Sequence, residues 1–238
     1  MSSTCQTMLR QIVAPIHPDG WKFVAGGALA TLLLFVLGRH IRPFGWAALI
    51  LTLWLAYFFR DPWRVTPTRP GLVVSPADGV VVSLAPAPPP PELAMGSAPV
   101  TRIGIFLNLL DVHVARAPAA GLVAARHYTP GRFVNASLDK ASEDNERLAL
   151  RLAPAEGPEI ACVLIAGLVA RRIVCPVIAG RRVAAGERIG IIRFGSRVDV
   201  YLPPPYVPLV LLGQRMIGGE TVLADRAAAE PPREGFSH

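Results

Sequence analysis

The sequence predicts a mostly β domain preceded by a hydrophobic helical hairpin. Three observations carry that expectation. Residues 23–38 and 44–59 contain no charged side chain, the chain after residue 60 breaks into short Val/Ile-rich runs, and Gly and Pro punctuate those runs throughout. Only 17% of the 238 residues are charged, against a usual ~25%, which excludes a disordered chain and fits a packed core with an apolar appendage.

Each apolar run has 16 residues. At 1.5 Å per residue that is roughly 24 Å, short of a bilayer core of about 30 Å. Residues 1–60 are therefore expected to form a membrane-associating helical hairpin that either crosses as a short pair or dips into one leaflet. Between the runs lies the basic turn Arg39-His40-Ile41-Arg42-Pro43, and Trp21, Trp46, Trp54, Tyr57 and Trp63 sit near the run ends, as interfacial anchors do. No small-residue cleavage site follows the first run, which argues against a secretory signal. Arg10, Lys22, Arg60, Arg64 and Arg69 flank the hairpin and outweigh Arg39 and Arg42 in its turn, placing the following domain on the cytoplasmic side of the cell membrane. The net charge is +7, but no Lys/Arg block is interleaved with aromatics. That excludes nucleic acid as a partner and favours an anionic membrane surface.

In residues 61–238, strands are expected at 71–75, 79–84, 101–109, 111–116, 121–127, 147–152, 160–169, 171–178, 188–194 and 197–202. Asp78-Gly79, Ala179-Gly180 and Ala185-Gly186 are the turn signals between them. The proline-rich stretch Ala85 to Pro91 is expected as an extended surface loop, and one helical turn around 136–146. Residues 71–84 and 180–193 each read as strand–turn–strand with Gly at the turn, and the second resembles the hammerhead hairpin of biotinyl and lipoyl domains. That resemblance implies a barrel-sandwich, lipoyl-like β core, and with it an alternative function as an uncleaved, membrane-anchored lipoyl-like adaptor. A carrier of that kind needs a lysine at a hairpin tip. Lys140 sits instead in the polar segment Asp139-Lys140-Ala141-Ser142-Glu143.

Cys5, Cys162 and Cys175 form no disulfide framework, and no CxxC or HExxH spacing provides a metal site. Chemistry is better placed at Gly195-Ser196, where one apolar strand stops and another begins. Position 198 is Val, so this is not the GxSxG elbow of a hydrolase. A Gly before a Ser is open to close approach and tolerates strained backbone, which suits attack by the hydroxyl on its own preceding peptide bond. Such an attack needs a base and a group to orient that base. His17, His40 and His238 lie in the hairpin or the tail, leaving His113 and, secondarily, His127. Strand alternation would put His113 on one face with Asp111, and Asp78 in Ser75-Pro76-Ala77-Asp78-Gly79 is the other candidate carboxylate.

Five segments together resemble phosphatidylserine decarboxylases of the short, bacterial and archaeal type. They are Phe58-Phe59-Arg60-Asp61-Pro62, Ser75 to Gly79, Asp111 to Pro118, Asp139 to Glu143 with Asn145-Glu146-Arg147, and Gly190 to Arg197. The resemblance implies a proenzyme that cuts itself between Gly195 and Ser196 into a long β chain, 1–195, and a short α chain, 196–238. Ser196 would become a covalent pyruvoyl group, with Asp78 and His113 activating it. That group would form a Schiff base with the serine amine of phosphatidylserine and decarboxylate it to phosphatidylethanolamine, His113 serving as the acid that reprotonates the product. Long-type members carry a second histidine three positions beyond the first, where this chain has Arg116. Arg116, Arg193 and Arg197 are the candidates for the lipid phosphate. The oligomeric state has no signature in the sequence; a homo-oligomer is compatible with a β-rich domain at a membrane.

Of 24 basic residues only Lys22 and Lys140 are lysines. Codon bias explains the ratio, but it leaves little scope for pyridoxal phosphate, which needs a lysine to hold its aldehyde.

Overall fold

In the computed structural model, the residues described are 14–131, 145–167, 172–193, 195–229, 233 and 235. The chain forms two compact units, Met1–Trp63 and Arg64–His238.

The first unit is a helical hairpin, α1 (Trp21–Val36) and α2 (Arg42–Phe58). A short 3-10 turn precedes each helix, Pro18–Gly20 and Arg39–Ile41, so the two helical stretches run 19 and 20 residues. They exceed the expected 16 because Pro18 takes the first helical position and the His17 side chain accepts from the Asp19 N–H. By length and composition both are long and apolar enough to cross a membrane. Their contact is made by small and hydroxylated residues. Thr31 and Thr52 face each other with their Oγ1 atoms 3.4 Å apart, each also donating to the carbonyl four residues back, and a Cβ on Gly27 would lie 2.6 Å from Thr52 Oγ1. Leu32, Leu33, Leu37, Ile50 and Leu53 point outward and are at least half exposed. Small residues inside and leucines outside is the arrangement of helices packed in lipid, where apolar burial offers no drive to associate.

The second unit is mostly β, with antiparallel pairing throughout. Its strands are β1 (Leu72–Val74), β2 (Gly79–Ala87), β3 (Val100–Leu107), β4 (Val114–Arg116), β5 (Gly121–Thr129), β6 (Arg147–Ala153), β7 (Ile160–Ala166), β8 (Ile173–Val174), β9 (Arg182–Val183), β10 (Arg188–Ile192), β11 (Ser196–Leu202), β12 (Val207–Pro208), β13 (Arg215–Met216) and β14 (Val222–Asp225). Eight of them form a curled sheet in the order β13-β2-β3-β11-β7-β6-β5-β9, and two three-stranded sheets, β1-β14-β12 and β4-β10-β8, complete the unit.

The central strands β7 and β11 are buried on both faces. Alternation sorts their side chains: Ile160, Cys162, Leu164, Val198, Val200 and Leu202 enter the main core, while Ala161, Val163, Ile165 and Tyr201 meet a second apolar cluster around Leu93. Ser196 has the parity of Val198, and Arg197 that of Asp199 and Tyr201. A buried ion pair, Arg197 Nε to Asp199 Oδ1 at 2.5 Å, therefore lies on the second face. Gly104 of β3 leaves room for it, since a Cβ there would come within 2.5 Å of Arg197 Nη2.

Several expectations are corrected. Ala85–Ala87 belong to β2 rather than to a loop, pairing with Val100–Arg102. Pro86 is tolerated because β13 reaches only Gly79 and Val80, leaving no second neighbour to require its N–H. The prolines that follow lead into a 3-10 turn, Pro91–Leu93, that buries Leu93. Residues 111–113 lie outside β4, so alternation does not set the relation of Asp111 to His113. Strand β9 is the first arm of the strand–turn–strand unit expected at 180–193, whereas β12, β13 and β14 lie outside every expected strand. The helical turn expected at 136–146, with Lys140, falls largely outside the described residues.

Candidate active site

Gly195 and Ser196 lie at the start of β11, opposite the ends of β3 and β7, in register with Leu107 and Ala166. Gly195 has φ +74, a left-handed conformation that breaks the extended strand immediately before the serine. Ser196 is fully buried, and its Oγ has no hydrogen-bond partner among the described residues. A buried hydroxyl left unsatisfied carries a penalty of ~1–3 kcal/mol, and such groups are characteristic of reactive positions.

His113 is the nearest base. It is 1% exposed, and its Nε2 accepts the Gly195 N–H at 3.1 Å while Nδ1 lies 3.0 Å from the Asp111 main-chain oxygen. That pair of contacts fixes the tautomer: Nδ1 carries the proton, and the Nε2 lone pair faces the Gly195 N–H, in the peptide that precedes the Gly195–Ser196 bond. The His113 carbonyl also accepts from Ile192 N, tying it to the end of β10. On the other side of Gly195, its carbonyl accepts from the Gly167 N–H at 3.1 Å. Gly195, the residue before the buried serine, thus has a histidine on its N–H and a fixed donor on its carbonyl.

Asp78 is positioned by its turn. Both carboxylate oxygens receive Arg64 Nη2, at 3.0 and 2.7 Å, and Oδ1 also accepts Gly218 N–H at 2.8 Å. Ser75 Oγ closes the turn on the Ala77 carbonyl, and Arg116 N–H donates to Pro76 O at 2.8 Å, lacing the turn to the strand that follows His113. Gly79, at φ +150, lies so close to Phe106 O that a Cβ would approach to 2.2 Å. The Asp111 carboxylate binds Asn108 N–H and Arg215, while the Asp111 main-chain oxygen meets His113 Nδ1.

The three candidate arginines differ sharply. Arg197 is buried against Asp199, and Arg116 is buried with Nη1 on the Gly186 carbonyl at 3.0 Å, while Arg193 is partly exposed two residues before Gly195. His127 is exposed on β5, three strands and roughly 14 Å from β11. The structure adds groups that the sequence did not single out. Gly167 acts through a backbone N–H and has no side-chain signature. Asn145, in a quoted motif but without an assigned role, donates from Nδ2 to the Ala166 carbonyl at 2.7 Å, beside Ser196 in the ladder. Arg64 had counted only as flanking charge. Among the described residues no cluster of His, Cys, Asp and Glu could hold a metal ion.

Comparison with known proteins identifies the family. The family model for phosphatidylserine decarboxylase matches residues 51–224. The chain is 57% identical over 228 residues to the phosphatidylserine decarboxylase proenzyme of Cereibacter sphaeroides, covering 96% of this chain and 97% of that one. It is also 57% identical over 221 residues to the proenzyme of Paramagnetospirillum magneticum, covering 93% and 91%. With a family model matching residues 51–224 and relatives 57% identical over more than nine-tenths of its length, the chain belongs to the phosphatidylserine decarboxylase family.

Proposed function

We propose that this phosphatidylserine decarboxylase is made as a proenzyme that cuts itself between Gly195 and Ser196, and that residue 196 becomes its pyruvoyl group. The carrying observation is the buried, unpartnered Ser196 Oγ next to a glycine whose N–H is held by His113 Nε2 and whose carbonyl is held by the Gly167 N–H. Proenzymes of this family form their pyruvoyl group from a serine, and Ser196 fits that requirement.

The steps follow from these contacts. His113 Nε2 exchanges its bond to Gly195 N–H for the Ser196 hydroxyl and takes its proton as Oγ attacks the Gly195 carbonyl carbon. The developing oxyanion is met by the Gly167 N–H. Collapse breaks the Gly195 C–Ser196 N bond, the nitrogen recovers the proton, and an ester remains. Loss of the Ser196 Cα proton, with departure of the Gly195 carboxylate from Cβ, leaves dehydroalanine. Its imine tautomer exchanges ammonia for water. The β chain then ends at 195, and the α chain begins at 196. Asp78, held by Arg64 and Gly218 in the turn that Arg116 N–H laces to the strand after His113, is assigned with His113 to the activation of Ser196 on the family resemblance.

The pyruvoyl group supplies an electron sink for the pair released as carbon dioxide leaves. His113 Nε2, beside Gly195, is the group placed to hold a proton for the product carbon. Arg193, partly exposed beside the scissile peptide, is the arginine best suited to the substrate phosphate. The outward leucines of α1 and α2 support attachment to the cell membrane, and the basic flanks support a cytoplasmic catalytic unit. The finer fold reading, a barrel-sandwich core, is supported by the arms of the two strand–turn–strand units pairing apart: β1 with β14, β2 with β3 and β13, β9 with β5, and β10 with β4 and β8.

Mass spectrometry of the purified protein tests the proposal. Two chains split after Gly195, the second lacking an amine at residue 196, are expected. Ser196→Ala should give one full-length inactive chain, and His113→Ala should be cut slowly. A wild-type chain recovered intact, or a processed Ser196→Ala variant, overturns the mechanism.

A further inference from the structure

The loop Asn108 to Asp111 joins β3 to the segment carrying His113, and it holds two leucines in water. Leu109 is 41% exposed and Leu110 59% exposed. The loop is tightly determined. Asn108 Oδ1 accepts Leu110 N–H at 2.7 Å, Asp111 Oδ2 accepts Asn108 N–H at 2.9 Å, Asp111 N–H returns to the Asn108 carbonyl at 3.0 Å, and the Asp111 carboxylate also binds Arg215. Four contacts within and beneath four residues fix an apolar tip that packs little of itself against the rest of the unit. The tip borders the reacting peptide, because Leu109 Cδ2 lies 3.9 Å from where a Cβ on Gly195 would sit. At its base, the Arg215 side chain is 63% exposed, and Ile217 follows two residues along, also exposed.

We infer that Leu109 and Leu110 form a rigid wedge that enters an anionic lipid surface and brings the Gly195–Ser196 site to the headgroups. The inference rests on the functional reading above, in which the substrate is itself a bilayer lipid. A reacting serine headgroup lies at the membrane–water interface, so the site must meet that plane. Two rigid leucines beside the site would settle into the acyl boundary, and the Arg215 guanidinium at the wedge base would meet anionic headgroups. The residues of this contact all belong to the second unit.

The test uses the full-length chain. Activity is compared on phosphatidylserine in large vesicles and on a short-chain phosphatidylserine dispersed below its micelle concentration. Leu110→Ser should lower the vesicle-to-dispersed activity ratio at least tenfold, and Leu110→Trp, which restores an interfacial side chain, should return most of it. An unchanged ratio overturns the wedge, including when both activities fall together. An unchanged ratio with an altered oligomeric state would assign the surface to a second copy of the chain. Insertion is also read without turnover. An environment-sensitive fluorophore on Leu110→Cys, in a chain with Cys5→Ser and Cys175→Ser, should shift to the blue on binding phosphatidylserine vesicles. Emission that stays at its aqueous wavelength on vesicle-bound protein overturns the proposal. Failure of the functional reading looks different: wild-type protein would be uncut and inactive on both substrates.

Discussion

Replacing Gly167 with glycolate, so that one backbone N–H becomes an ester oxygen, isolates the donor on the Gly195 carbonyl. That N–H is 3.1 Å from the oxygen on which negative charge develops as Ser196 attacks. It also continues the β7–β11 ladder past Ser196 and Ala166, so it has a structural role. The two roles separate by size. A ladder hydrogen bond contributes about 0.5–1.5 kcal/mol to folding, whereas an oxyanion donor contributes ~2.7–4 kcal/mol to the barrier, or about 10²–10³ in rate. Self-cleavage should therefore slow at least ~100-fold while the unfolding free energy falls by no more than about 1.5 kcal/mol. Cell-free translation can place glycolate at 167, and a time course of chain separation gives the rate. Gly167→Ala, which keeps the N–H, is the control for the added methyl. Cleavage at the wild-type rate, or an equal slowing in Gly167→Ala, would refute the oxyanion role.

Two further outcomes concern the second face of the sheet. Gly104→Ala should destabilise the protein by about 1–3 kcal/mol in denaturant titration, because the new methyl overlaps Arg197 and Asp199 in their buried ion pair; a loss under 0.5 kcal/mol would show that the pair relaxes freely. Burial and the Asp199 carboxylate raise the Tyr201 phenol to about 12, so the unfolded chain ionises first, near pH 10. Folding stability should then fall between pH 10 and 12 by about 2–3 kcal/mol in the limit, and Tyr201→Phe should flatten that decline; an equal slope in the variant would exclude Tyr201 as its source.

The segments that announced themselves in the sequence did so through local physics. A charge-free run needs an apolar environment whatever its neighbours do, so the hairpin was visible, although its helices extended to Pro18 and Arg39 once capping and turn residues were placed. Valine-rich runs such as 160–169 and 197–202 became β7 and β11 because β-branched side chains suit a pleated surface buried on both sides. Short elements such as Arg182–Val183 and Arg215–Met216 have no period to read and exist only because a distant strand offers them a partner. Pro86 shows the converse: its composition reads as loop, and one missing neighbour at the sheet edge makes it strand.

At the site, residue types were legible and relations were not. Gly195, Ser196, His113 and Asp78 could be named from side-chain chemistry and motif order. Alternation failed for Asp111 and His113 because those residues lie in a turn, where the period of two does not apply. The sequence by itself determined that a nucleophile follows a flexible glycine and that a lipid-seeking hairpin precedes a β domain. Only the tertiary structure decided that His113 offers Nε2 to the Gly195 N–H, that Gly167 holds the Gly195 carbonyl, and that Leu109 and Leu110 face water beside that residue. Those facts depend on residues 28 to 86 positions apart meeting in the fold. Backbone donors and exposed turns leave no mark on composition, because their role comes from position.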